Sequence, residues 1–137
     1  MILLDTNVVS EIMRANADAA VDRWYIANFA TCWLPSIALA EIAFGVALLP
    51  VGSKRTKLTT QLTDLRIAFA ARTRAFTGTT ALIYGDVMAG ARLAGFQMTV
   101  PDAQIAAIAR EHDLALATRN SRDFATAGLA LINPWTA

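Results

Sequence analysis

The feature that most constrains this chain is its alternation of short, unbroken apolar runs with stretches of helical period, joined without tight hairpin turns. Met1–Leu4 is apolar throughout and stops abruptly at Asp5, the pattern of a strand buried on both faces. Asp5, Thr6 and Asn7 are helix-capping residue types, and Val8, Val9, Ile12 and Met13 follow at helical spacing. After a break at Asn16–Asp18, a second helix is expected to about Phe29, with Ala30–Leu34 as the second strand. Pro35-Ser36 stops that strand, and Ser36 is expected to cap a helix from Ile37 to about Leu48. Pro50, Gly52 and Ser53 mark a loop before a helix over Lys54–Ala71, with Leu58, Leu62, Leu65 and Phe69 inward.

The same reading continues to the end. Arg74–Thr77 is a short strand, and Thr79 or Thr80 is expected to cap an Ala-rich helix ending near Gly95. Val100-Pro101-Asp102 opens another helix, which turns Ile105, Ile108 and Ala109 inward. Leu114–Thr118 is a strand, Arg119–Ala125 a loop with one helical turn, and Leu129–Ile132 a last strand. Strands linked through helices pair in parallel, so the expected fold is α/β, with a mostly parallel four- to five-stranded sheet and helices on both faces. Ligands in such sheets bind beyond the carboxyl ends of the strands.

Composition narrows the class. A chain of 137 residues is expected to form a single domain over 1–137, and 55 % hydrophobic with 17 % charged residues excludes disorder. No apolar run nears the roughly 18 residues of a membrane span, and Met1-Ile2-Leu3-Leu4 lacks the basic flank of a secretory signal. The one cysteine, Cys32, excludes an internal disulfide framework and a cysteine-rich zinc site, and reads as a buried thiol. These features point to the cytoplasm and away from membranes. A net charge of +1 leaves nucleic-acid binding open. Three basic groups (Lys54, Arg55 and Lys57; Arg72 and Arg74; Arg119 and Arg122) are either phosphate-binding surfaces or solvated helix faces. Trp24, Trp33, Phe44 and Phe69 fall at core spacing, and Trp135 is expected to cover the sheet edge.

The acids carry the chemistry. Asp5 ends the first strand, Asp123 lies in the loop after the Leu114–Thr118 strand, Asp102 starts a helix, and Glu41 stands alone in an apolar helix. Each has an ordinary explanation as a cap, a surface group or a loop residue. Together they would gather negative charge at one sheet edge, an arrangement that raises each pKa and is stable only around something positive. An all-oxygen donor set selects Mg²⁺ or Mn²⁺ over zinc, and such ions activate water for phosphodiester hydrolysis. Nucleophilic catalysis has little support: the only histidine, His112, sits at a helix end between Glu111 and Asp113. No phosphate-cradling glycine pattern occurs. A receiver-like phosphoacceptor domain would want a second acid beside Asp5 and a lysine near the last strands, and neither is present.

Four segments, in order, resemble the motifs of PIN-domain proteins, specifically the VapC/FitB-like toxins of type II toxin–antitoxin pairs. They are Met1–Glu11; Pro35-Ser36-Ile37 with Ala40-Glu41-Ile42 and Gly45; Asp102–Ala107; and Ala117–Phe124, followed by a closing Ile132-Asn133-Pro134-Trp135. The resemblance implies a three-layer α/β/α domain whose Asp5, Glu41, Asp102 and Asp123 bind Mg²⁺ or Mn²⁺. It also implies endoribonuclease activity on RNA, inhibition by a cognate VapB-like DNA-binding antitoxin, and homodimers within a larger toxin–antitoxin assembly. Thr6, Asn7, Thr118 and Asn120 would orient the carboxylates by hydrogen bonds, with capping or turn formation the rival role for Asn7 and Asn120. Arg119 and Arg122 either hold RNA phosphates or pair with Asp123. A catalytically weak PIN-fold scaffold is the alternative function.

Overall fold

The computed structural model describes residues 1–137. Five strands, β1 (Ile2–Leu4), β2 (Cys32–Pro35), β3 (Thr73–Arg74), β4 (Ala115–Ala117) and β5 (Leu131–Ile132), form one sheet in the order β3-β2-β1-β4-β5. Every pairing is parallel; Ile2 lies opposite Cys32 on one side of β1 and opposite Ala115 on the other. Six helices surround it: α1 (Thr6–Ile12), α2 (Ala19–Asn28), α3 (Ser36–Ala47), α4 (Ser53–Ala68), α5 (Gly78–Leu93) and α6 (Val100–Glu111). The strand order differs from the 2-1-3-4-5 order of receiver-type sheets, which removes that alternative.

The two-residue period of a strand divides the core. Leu3 and Leu116 point to one face and pack with Val87 and Ala91 of α5 and with Ile105 and Ile108 of α6. Leu4 and Ala117 point to the other, against Val8 and Val9 of α1, Ala38 of α3 and Leu65 of α4. A sheet between two helical layers is therefore the three-layer α/β/α arrangement expected.

Several local expectations change. Ser36 is the first residue of α3 rather than its cap; Pro35 holds the cap position, and the Ser36 hydroxyl accepts from Phe76 N–H at 3.3 Å. The cap of α5 is Thr77, two or three residues earlier than expected: its hydroxyl accepts from Thr80 N–H while Thr80 Oγ1 accepts from Thr77 N–H, a reciprocal capping box. Phe44 is 67 % exposed instead of core. The inner side of α3 runs through Ala38, Ile42 and Val46, and Phe44, two residues from Ile42, falls on the opposite face. Phe69 and Cys32 are fully buried, and burial pushes the Cys32 thiol up to about 11.

Candidate active site

From β1 the chain winds outward through β2 to β3, then returns to β4 on the opposite side of β1. Connections leaving in opposite directions open a crevice at the carboxyl ends of the two central strands. The residue after β1 is Asp5 and the residue after β4 is Thr118. Both are buried, at 4 % and 0 % exposure. Thr118 Oγ1 donates to Asp5 Oδ2 at 2.7 Å, and Thr6 N–H donates to Asp5 Oδ1 at 2.8 Å. Asp5 is thus the cap of α1 and the floor of the crevice at once.

The helices bring in two more acids. Glu41 lies where α3 packs on α1, and its Oε1 accepts from Thr6 Oγ1 at 2.6 Å. Asp102 is in the first turn of α6, whose cap is Thr99: Thr99 Oγ1 accepts from Asp102 N–H at 3.3 Å. The helix dipole favours a carboxylate there. Asp5, Glu41 and Asp102 share the wall of one cavity of about 470 Å³. Asp123 stands exposed on the short 3-10 turn Ser121–Phe124 and does not line that cavity, although its charge is felt at Asp102.

Burial pushes the Asp5 carboxyl from its ordinary 3.8 up to about 6, with the charges of Asp102 and Glu41 adding to the rise. The hydrogen bonds from Thr118 and Thr6 oppose it. Asp102 is also raised, by burial first and then by Asp123 and Glu41, against the pull of Thr99. No basic side chain neutralises this cluster: the ion pairs of the chain are Arg14–Glu11 and His112–Glu111. No three of the acids approach closely enough to enclose an ion as they stand. Burial comes first in both raised pKa values, and the like charges around the cavity add to it. The donors are all oxygens, which fits a hard divalent cation such as Mg²⁺ or Mn²⁺.

The remaining expected positions divide. Thr6 and Thr118 contact the acids directly. Asn7 Oδ1 accepts from Arg119 N–H at 3.4 Å, and Asn120 uses its backbone N–H, donating to Thr118 Oγ1 at 3.0 Å; both brace the loop after β4 rather than an acid. His112 caps the far end of α6, with Nε2 3.4 Å from Glu111 Oε2. Arg72 and Arg74 are spent on structure: Arg72 lies against the Phe29 and Phe69 rings, and Arg74 over Trp33. Lys54 and Lys57 line an adjoining groove of about 640 Å³ that shares Thr6 and Glu41 with the acidic cavity.

Sequence reasoning missed Thr99 and the Glu11–Arg14 pair. Thr99-x-x-Asp102 carries the capping spacing that would have flagged the first. It also placed Trp135 at the sheet edge without seeing that its ring forms part of the cavity wall.

A sheet of this order with acids gathered at its central carboxyl edge defines the PIN fold, and the PIN-domain family model matches residues 2–129. The chain belongs to the PIN-domain family. Among its relatives are a VapC ribonuclease (Y4jK) of Sinorhizobium fredii, 40 % identical over 98 % of both chains. Another is the toxin FitB of Neisseria gonorrhoeae, 37 % identical over 98 % of this chain and 99 % of that one. The crystal structure of FitAcB from Neisseria gonorrhoeae superposes with a TM-score of 0.93 at 37 % identity, over the full length of both chains.

Proposed function

We propose that this chain is a divalent-metal-dependent endoribonuclease, the toxin of a type II toxin–antitoxin pair. The observation that carries the reading is the cavity shared by Asp5, Glu41 and Asp102, in which no basic side chain pairs with the acids. Its likeness to a VapC ribonuclease and to the toxin FitB supports the substrate class and the toxin role. Asp5, Glu41 and Asp102, with Asp123 at the rim, would hold Mg²⁺ or Mn²⁺. The chemistry supplied at such a site is Lewis-acid stabilisation of the charge that builds on a phosphodiester attacked by water.

The chain's own part is orientation. Thr118 and Thr6 fix both oxygens of Asp5, Thr6 also fixes Glu41, and the capped first turn of α6 fixes Asp102. Carboxylates held in this way lose little freedom when they bind. A cognate VapB-like DNA-binding antitoxin would neutralise the activity, in a complex built on toxin homodimers. The pair would act in the cytoplasm, in keeping with the lack of any helix long and apolar enough to cross a membrane.

The test is cleavage of total RNA by antitoxin-free protein with Mg²⁺, with Mn²⁺ and with chelator, beside Asp5→Asn. Discrete cuts that need metal and fall at least about a hundredfold in the variant are expected. Cutting that survives Asp5→Asn or chelation would overturn the reading.

A further inference from the structure

We propose that Arg119 grips a phosphate of the RNA beside the acidic cavity and that Trp135 is the positioning residue that holds its guanidinium there. The inference rests on the ribonuclease reading and adds a substrate-binding element to it.

The guanidinium carbon of Arg119 lies 5.0 Å from the centre of the Trp135 ring, and both residues belong to the cavity wall with Asp5, Glu41 and Asp102. Arg119 forms no ion pair with any of those carboxylates, and its guanidinium donates no hydrogen bond within the chain. Both partners are fixed from behind. Arg119 N–H donates to Asn7 Oδ1 at 3.4 Å; Trp135 N–H donates to Asn133 Oδ1 at 3.0 Å, and its ring packs on the core around Leu4 and Val8.

The other arginines show what a committed guanidinium looks like. Arg72 lies 4.5 Å and 4.8 Å from the Phe29 and Phe69 rings and donates to the carbonyls of Phe29 and Cys32. Arg14, in the same cavity wall as Arg119, is paired with Glu11 at 3.2 Å. Arg119 is left with its guanidinium over an indole ring and its N–H groups unspent. A cation–π contact consumes no N–H donor, and the planar fork matches two phosphate oxygens at once. A phosphodiester entering a cavity of carboxylates needs a fixed positive group to offset their repulsion, and Arg119 is placed to supply it.

The test measures binding of a random-sequence single-stranded RNA 12-mer to the Asp5→Asn protein over a series of NaCl concentrations. Adding Arg119→Gln should weaken binding about 3- to 10-fold at low salt and reduce the slope of log affinity against log salt by about 0.7, the loss of one phosphate contact. Trp135→Leu should give most of that loss, Trp135→Phe should restore binding, and Arg119→Gln with Trp135→Leu should be no worse than Arg119→Gln alone. In the Asp5 background, Arg119→Gln should raise KM for RNA cleavage more than it lowers kcat. A slope unchanged by Arg119→Gln, where the Asp5→Asn protein binds RNA and the Asp5 protein cuts it, overturns this inference alone. An unchanged slope in folded Trp135→Leu removes Trp135 from it. Failure of the Asp5→Asn protein to bind RNA together with failure of the Asp5 protein to cut it overturns the ribonuclease reading as well.

Discussion

The two ends of α1 treat a buried acid in opposite ways. Glu11, in the last turn and 8 % exposed, accepts from Arg14 Nη1 at 3.2 Å and from Asp18 N–H at 2.8 Å, so its charge is met within the chain. Asp5, at the first turn and 4 % exposed, accepts only from a hydroxyl and a backbone N–H. Its nearest charges, those of Asp102 and Glu41, are negative. The helix dipole supports an anion at the start of α1 and opposes one at its end, which accounts for the cation at Glu11. It does not account for three unpaired acids around one cavity. Glu11 is neutralised at home, whereas Asp5, Glu41 and Asp102 leave negative charge for something outside the chain.

The sharpest way to break this comparison is to follow stability against pH without metal. The folded-state pKa of Asp5, about 6, lies above its ordinary 3.8, so between those values the folded protein holds a proton that the unfolded chain has lost. The contribution is full below about pH 4 and disappears as pH rises through about 6, a loss of roughly 3 kcal/mol. Denaturant unfolding in chelator at pH 4.5 and 7.5 should show the parent losing about 2 kcal/mol of it relative to Asp5→Asn, the first part being already lost at pH 4.5, and Mg²⁺ should restore it at pH 7.5 in the parent only. Parallel pH trends in the two proteins would mean that Asp5 is as well neutralised as Glu11.

A smaller effect is expected one contact away. Thr118→Val keeps the buried shape but removes the hydroxyl that donates to Asp5 and accepts from Asn120 N–H. Because that hydrogen bond lowers the Asp5 pKa, its loss should lift the pKa further above 6 and weaken Mg²⁺ binding about tenfold, with Thr118→Ser recovering most of it. Calorimetric Mg²⁺ titration at pH 7.5 reads this directly, and an unchanged affinity in Thr118→Val would remove Thr118 from the site.

Much of this organisation is legible in the order of residues alone. The run Met1–Leu4 ending at Asp5 marks strand, cap and site together, because burial on both faces and a helix start impose separate, readable patterns. Where two local patterns compete, tertiary packing decides. Ser36 looks like a cap, but Pro35 takes that position and Ser36 turns to Phe76. Phe44 is as apolar as Ile42, and only the choice of which face of α3 turns inward decides which is covered. The acids could be gathered from their positions at strand and helix ends. Their spacing could not, since Asp123 differs from Asp102 in the course of a loop that no periodicity encodes. The stack of Arg119 on Trp135 joins the end of β4 to the segment after β5, a contact set by the parallel pairing of the two strands.

The mildest test returns to the other end of α1. Glu11→Gln keeps an oxygen for Asp18 N–H but loses the charge that faces Arg14, so a cost of about 1 kcal/mol is expected in urea unfolding. That cost should be the same with chelator and with Mg²⁺, because the partner of Glu11 is built into the chain. Arg14 is 65 % exposed at its side chain, which keeps the figure small. A cost that changed with Mg²⁺ would place Glu11, itself in the cavity wall, among the acids that wait for an outside cation. The contrast between the ends of α1 would then be one of degree, with the metal-responsive charge extending from Asp5 along the cavity to Glu11.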